Sequence, residues 1–307
     1  MILRTAFLFP GQGSQFEGML DFLPNEPCVK YLLEQSSDIL QQTVSSLHSK
    51  EALATTKAVQ QCLLISSVAT YKLFEIEGLI PSFVAGHSVG AFGAAVAACV
   101  LTFEEALRLV TLRGELMEQI CSDGFGMGVV LGMNEHELLE VTEQFFHVHD
   151  PVYVSNRNAP FQITISGSLK GLEKVISYVS AHGAKSASLL NVSTPSHCPL
   201  FQDVSNQMLD ALNKIELKRP KIPISSNLNA RLLKTTEAIK RDLAESICHP
   251  VRWHDATSVL YENGARLFIE MPPGDVLTKL ATSAFQDVRS MSVSKNGIED
   301  CLFLLQN

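Results

Sequence analysis

Charge is scarce in this sequence: Asp, Glu, Lys and Arg make up 18% of its 307 residues, below the roughly 25% usual for soluble domains. With 46% hydrophobic residues, a chain of this length can bury a large dry core, which excludes intrinsic disorder. An excess of basic residues is also absent. Lys and Arg number 24 against 32 Asp and Glu, a formal charge of -8, so no global field draws a phosphate backbone and no nucleic-acid partner is expected. The sequence has no C-x-x-C pair. Its seven cysteines (Cys28, Cys62, Cys99, Cys121, Cys198, Cys248 and Cys301) are odd in number and scattered, which argues against a zinc site or a disulfide framework and for small buried hydrophobes.

The start, Met1-Ile2-Leu3-Arg4, lacks the charged segment, long apolar region and cleavage site of a secretory signal, so a cytoplasmic location is expected. Only the uncharged run Gly78–Phe103 reaches the roughly 20 residues of a membrane span. It contains Pro81, His87, Ser88 and four glycines, whose polar groups lipid would leave unsatisfied. It reads instead as a buried strand, a tight turn and a buried helix, with no membrane partner.

Ala6–Phe9 is a short apolar strand leading into Pro10-Gly11-Gln12-Gly13-Ser14-Gln15, a loop too rich in glycine for the interior of a regular element. Apolar spacing predicts a helix over Thr56–Glu77, a strand over Pro81–Ala85 and a helix over Ala91–Val100, an alternation that implies a parallel α/β sheet. From Met127 the pattern changes to strand Met127–Leu131, helix Glu135–Phe146, strands Val152–Ser155 and Ile163–Ser166, helix Leu169–Ala181 and strand Ala187–Leu190. That β-α-β-β-α-β order is the ferredoxin-like unit. The expected organisation is a large subdomain of residues 1–125 and 198–307 with a small subdomain, 126–197, inserted in it. The chain returns through a helix over Phe201–Ile215 and a strand over Leu267–Glu270.

Gly86-His87-Ser88-Val89-Gly90 fits G-x-S-x-G between a strand and a helix, the setting of a nucleophile elbow, so Ser88 is the expected nucleophile. It needs a base. Position and surroundings reduce the nine histidines to His197, His249 and His254. His197 follows Thr194-Pro195-Ser196 where the small subdomain rejoins the large one, so it would face the cleft between them. Asp123 and Asp150 fall in turns, so a backbone carbonyl is the expected orienter of the imidazole. The oxyanion donors expected are the N–H groups of Val89 and Gln12. The rival dinucleotide fingerprint fails at Phe16.

On the helix expected over Glu104–Gln119, Glu104, Arg108, Glu115 and Glu118 cluster on one face. Arg113 lies about 180° from Glu104, among Ala106, Leu109, Val110, Leu116 and Met117. A buried guanidinium without a counter-charge is costly. Either Arg113 snorkels or pairs with a distant acid such as Glu270, or its partner is a ligand carboxylate. Serine chemistry with a carboxylate clamp points to an acyl group carrying a free acid, of which malonyl is the simplest.

Phe9-Pro10-Gly11-Gln12-Gly13-Ser14-Gln15, Gly86–Gly90, Leu112-Arg113-Gly114, Pro195-Ser196-His197-Cys198 and the Pro272, Gly274, Val276, Leu277, Thr278 region resemble malonyl-CoA:acyl carrier protein transacylases. The resemblance implies an α/β-hydrolase-like core with a ferredoxin-like subdomain, acylation of Ser88, His197 as base and Arg113 on the malonyl carboxylate. It also implies Gln12 and His87 as further substrate contacts, and the Ser246 carbonyl as the group that orients His197. CoA is then a substrate, and no cofactor is bound permanently. Val89-Gly90-Ala91-Phe92 in place of Leu-Gly-Glu, with Val251–Thr257 and Glu270–Gly274, is similar to the epsilon subunit of bacterial malonate decarboxylase. That implies as acceptor the carrier subunit with its CoA-like prosthetic group, and the other decarboxylase subunits as partners. A fatty-acid-synthesis role and a serine thioesterase or esterase are the alternatives. Lys214, Lys218, Arg219 and Lys221 are candidates for docking an acidic carrier, or simply a solvated helix end.

Overall fold

The computed structural model describes residues 4–120, 124–192 and 194–306. The start Met1–Leu3, Cys121 and Asp123 lie outside the described residues. In chain order the first elements are β1 (Arg4–Phe9), α1 (Pro27–Leu40), α2 (Thr56–Ile76), β2 (Phe83–Gly86), α3 (Gly90–Ala97) and α4 (Phe103–Ile120). Next come β3 (Phe125–Leu131), α5 (Glu135–Phe145), β4 (Val152–Ala159), β5 (Gln162–Ser168), α6 (Leu169–Ala181) and β6 (Ser186–Leu189). The chain continues through α7 (Gln202–Asn213), β7 (Ile224–Ser225), β8 (Leu232–Leu233), α8 (Thr236–Glu245), α9 (Trp253–Glu262) and β9 (Ala265–Glu270). It closes with α10 (Val276–Ala284), β10 (Arg289–Ser292), α11 (Val293–Asn296) and α12 (Ile298–Gln306).

The first sheet has the order β10-β9-β1-β2-β7-β8. Its pairings are parallel except for β8, which runs antiparallel to β7. Both faces of its centre are covered, so β1 is a continuous apolar run, with Ala6, Phe7, Leu8 and Phe9 all fully buried, rather than an alternating one. The second sheet is antiparallel with the order β4-β5-β3-β6. Leu138 of α5 and Leu172 and Val175 of α6 pack with Val130, Ile163 and Ile165 of its strands in a separate core. The fold is therefore mixed α/β, one parallel sheet and one antiparallel sheet, and residues 125–189 run in the β-α-β-β-α-β order expected. No helix among the described residues is long and apolar enough to cross a membrane.

Two differences from the sequence reading bear on the site. β4 extends to Ala159, beyond the expected Ser155, because Asn156, Arg157 and Asn158 hold strand geometry without an apolar face. Arg157 pairs with Ile163 of β5, and its N–H donates to the Val251 carbonyl at 2.8 Å. Half of α8 is charged, with Ile239 and Leu243 marking its buried side, which is too sparse a stripe for the helix to be read from period alone.

Sheet, loop and helix meet at Gly90, the first residue of α3. A Cβ there would stand 2.1 Å from the Phe9 carbonyl oxygen, so only glycine lets α3 seat against the end of β1. Gly114 serves α4 in the same way, since its Cβ would lie 2.4 Å from Lys57 Cα of α2. We expect Gly90→Ala to destabilise the protein by about 3 kcal/mol or more, the cost of overpacking against rigid backbone. Chemical denaturation measures this, and a midpoint equal to wild type would mean that the two elements are not in contact.

Candidate active site

β2 ends at Gly86 and α3 begins at Gly90, so Ser88 sits on the turn between them with φ +55°. That left-handed conformation costs a residue with a Cβ about 1–3 kcal/mol, and it aims the hydroxyl away from the sheet. The Ser88 Oγ–H donates to His197 Nε2 at 2.8 Å. His197 Nδ1–H in turn donates to the Ser246 carbonyl at 2.5 Å, which leaves Nε2 as the proton acceptor. His197 also has a left-handed backbone, φ +66°. Its own N–H is held by the Ile247 carbonyl at 2.7 Å, and the preceding Ser196 carbonyl accepts from Ser166 Oγ of β5 at 2.6 Å. His197 is thus fixed between the two sheets.

Arg113 comes from the buried side of α4 and is 2% exposed. Its Nη2 donates to Ser88 Oγ at 3.2 Å and its Nη1 to Met117 Sδ at 3.4 Å, while Nε has no partner. Among the described residues Arg113 has no ion pair. The alternative partner Glu270 is engaged elsewhere, accepting from the N–H groups of Leu277 at 3.1 Å and Thr278 at 2.7 Å at the start of α10. Burial without a counter-charge lowers Arg113 to about 9, so it remains a cation at neutral pH. Burial, reinforced by the Arg113 charge, lowers His197 to about 3, so its imidazole is neutral.

These groups open on a cleft of about 430 Å³ between the two sheets. Gln12, His87 and Val89 line it with Ser88, Arg113 and His197. Val89 directly precedes the first turn of α3, where backbone N–H groups lack partners inside the helix. The loop carrying Gln12 is brought to the elbow by the His87 N–H, which donates to the Phe9 carbonyl at 3.0 Å. His87 is held in the cleft wall, its Nε2 3.1 Å from Asn158 Oδ1 and its ring 5.3 Å from that of Trp253. Of the other two histidine candidates, His249 Nδ1 lies 3.0 Å from the Glu245 carbonyl and His254 sits on α9. Asp150 pairs with Lys174 at 3.2 Å. The basic segment after α7 is stitched by the Lys218 and Lys221 N–H groups to the carbonyls of Val100 and Ala98, at the end of α3 remote from Ser88. Cys28, Cys62, Cys99, Cys198, Cys248 and Cys301 are free thiols.

Sequence reasoning missed Asn158, which lies on the polar end of β4, and Asn227, whose Oδ1 accepts the Ser88 N–H at 3.0 Å. Neither sits in a motif. Period 2 along a longer β4 would have placed Asn156 and Asn158 on the same side.

A family model described as acyl transferase domain matches residues 6–300. The malonyl CoA-acyl carrier protein transacylase of Bacillus subtilis (strain 168) is 36% identical over 296 residues, covering 95% of this chain and 93% of that protein. The polyketide biosynthesis malonyl CoA-acyl carrier protein transacylase PksC of the same organism is 37% identical over 290 residues, covering 93% and 98%. The crystal structure of FabD from Acinetobacter baumannii superposes with a TM-score of 0.94 at 30% identity, covering 100% of this chain and 99% of that one. A malonyl-transacylase solved in complex with a type II PKS acyl-carrier protein gives a TM-score of 0.91 at 32% identity, covering 97% and 99%.

If His197 is the base for Ser88, its depressed pKa sets the pH dependence of Ser88 reactivity. Because its folded value lies below the ordinary 6.5, the unprotonated base persists as the pH falls through 6.5. The stability contributed by the neutral ring is lost over that same range, since the unfolded chain then binds a proton that the folded one does not. Labelling of Ser88 by a fluorophosphonate at pH 5.5 should stay within about twofold of its rate at pH 7.5, where an ordinary imidazole would leave about a tenth. A tenfold loss would show a base with an unshifted pKa.

Proposed function

The chain belongs to the acyl transferase domain family, and from that premise we propose that it moves malonyl from malonyl-CoA, through an ester on Ser88, to the thiol of an acyl carrier protein. The observation that carries this reading is that one hydroxyl, Ser88 Oγ, lies 2.8 Å from a neutral imidazole and 3.2 Å from a buried guanidinium that has no ion pair among the described residues. The first group supplies nucleophilic acyl transfer. The second supplies recognition of an acid at the far end of the acyl group.

In the first half-reaction His197 Nε2 takes the Ser88 proton as Oγ attacks the thioester carbonyl. The N–H groups of Gln12 and Val89 receive the oxyanion. The C–S bond then breaks, and the departing CoA sulfur takes the proton from His197. In the second, His197 accepts the proton of the carrier thiol, the thiolate attacks malonyl-Ser88, and the proton returns to Ser88 Oγ as the ester breaks. Arg113 holds the malonyl carboxylate throughout, with His87 and Gln12 in the cleft wall beside it. The Ser246 carbonyl keeps the imidazole in the required tautomer. CoA enters and leaves as substrate, and the scheme needs no resident cofactor.

We read residues 1–125 with 198–307 as an α/β-hydrolase-like unit and 126–197 as a ferredoxin-like insert, a reading supported by the two separate sheets. For the acceptor we favour the carrier subunit of a bacterial malonate decarboxylase, in a cytoplasmic assembly with its other subunits. The support is the Val89-Gly90-Ala91-Phe92 sequence after the nucleophile and the Val251–Thr257 and Glu270–Gly274 stretches. The names of the relatives point instead to the alternative, an ordinary acyl carrier protein of fatty-acid or polyketide synthesis.

Ser88→Ala should abolish covalent labelling by radioactive malonyl-CoA, and retained labelling would remove Ser88 from the scheme. Arg113→Ala should lower kcat/KM for malonyl-CoA about 10²-fold more than for acetyl-CoA, since the charge-assisted pair forms with one substrate only. An equal loss for both would refute the clamp. Presenting malonyl-enzyme with each carrier type in purified form decides the acceptor, and we expect faster transfer to the CoA-like group of the decarboxylase carrier. Rapid loss of malonyl to water with no thiol present would instead identify a serine thioesterase.

A further inference from the structure

The first sheet leaves a backbone problem at the elbow. β2 pairs with β7 only through Val84–Ile224 and Ala85–Ser225. One residue beyond the end of β7 the chain turns away, and the ladder has no backbone left to meet Gly86 and Ser88. The Asn227 side chain takes that place. Its Nδ2 donates to the Gly86 carbonyl at 3.0 Å and its Oδ1 accepts the Ser88 N–H at 3.0 Å. One amide thereby bridges the two backbone groups on either side of His87, as a neighbouring strand would.

An amide does this only one way round. Asn227 is 2% exposed, so rotating it by 180° would set its NH₂ against the Ser88 N–H and its oxygen against the Gly86 carbonyl. What fixes the choice is Asp242 of α8, itself 3% exposed. Asp242 Oδ2 accepts from Asn227 Nδ2 at 3.4 Å and from the Asn227 N–H at 3.3 Å. Its other oxygen takes Ser226 Oγ–H at 2.5 Å and the Leu228 N–H at 3.1 Å. The acceptor-only carboxylate holds the NH₂ end on its own side and leaves the oxygen for Ser88.

We propose that Asn227, oriented by Asp242, is a positioning residue for the nucleophile. It holds Ser88 in the left-handed conformation that brings Oγ to His197 and leaves the Val89 N–H directed at the cleft. This rests on the acyl-transfer reading above. Asn227 touches neither Oγ nor the imidazole, so its loss acts on the rate of acylation and leaves substrate binding to Arg113 unchanged.

The test is single-turnover acylation by malonyl-CoA in wild type, Asn227→Ala and Asn227→Asp, with thermal unfolding followed in parallel. In Asn227→Ala the acylation rate should fall about 10²-fold, the effect of a displacement near 1 Å at a reacting atom, with KM within about twofold. Asn227→Asp places two carboxylates side by side, which can share a site only when one is protonated. Its rate relative to wild type should therefore rise at least about tenfold as the pH is lowered from 8 to 5, because the protonated oxygen regains a donor toward Gly86. A purely structural role would show instead as a rate that tracks the folded fraction, with no loss at pH 8 in protein that thermal unfolding shows to be fully folded. An Asn227→Ala rate within threefold of wild type, a change in KM alone, or a flat Asn227→Asp profile would overturn the proposal. Should Asn227→Ala fail to fold, the Asn227→Asp profile decides alone. Failure of wild type itself to form malonyl-Ser88 would refute the acyl-transfer reading, a result distinct from every outcome for the variants.

Discussion

A guanidinium kept dry beside a neutral hydroxyl is the interaction on which the rest of this structure depends. Arg113 is buried in α4, and among the described residues its acceptors are Ser88 Oγ and Met117 Sδ, with Nε unpartnered. Neither acceptor carries charge, so the cost of burying the cation, several kcal/mol, is largely uncompensated by the chain itself. The fold absorbs this through the packing of α2 on α4, where Gly114 meets the backbone of Lys57, and through a core that runs across both helices. A stability deficit held in place by a large apolar core is what a preorganised anion site requires.

A second constraint is that Ser88 and His197 come from distant parts of the chain and must still meet at 2.8 Å. Helix α8 settles both ends of that contact. Asp242, near its middle, sets the amide that holds the Ser88 N–H. The Ser246 carbonyl, at its C-cap, holds His197 Nδ1. One helix therefore contacts the groups that hold both residues. The second sheet is tied to the same frame where the Val251 N–H donates to the Ser155 carbonyl of β4, so the cleft walls share an origin with the residues that face into it.

The parts of this arrangement that were legible in the sequence are those with a short period or a short motif. Strand-turn-helix context around Gly86–Gly90 located the elbow, and the helical wheel put Arg113 on the apolar face of α4, where it is buried. Asn227 and Asp242 were not legible. Each is a polar residue in a stretch without apolar rhythm, and the contact that gives Asn227 its meaning joins positions 139 apart in sequence. Three histidines remained after elimination because sequence distance does not report which loop folds back against β5. Glu270 stayed open as an alternative counter-ion for the same reason. An acid at a strand end is free to serve a cation or a helix start, and here two N–H groups of α10 take it.

The electrostatics of the cation and the base are coupled, and on the acyl-transfer reading the coupling favours the correct substrate. Desolvation is the larger cause of the low His197 value, and the Arg113 charge is the next. A carboxylate bound to Arg113 cancels the second contribution and leaves the first. The imidazole then becomes a stronger base when a dicarboxylic acyl group fills the cleft than when an acetyl group does. Discrimination therefore has two physical sources, the ion pair itself and the basicity it restores. The second acts on the acylation rate and not on binding, because it operates through the proton that leaves Ser88. The contacts that Arg113 makes with Ser88 Oγ and Met117 Sδ are to neutral acceptors, which a carboxylate can replace without involving Ser246, Asn227 or the helix that positions them.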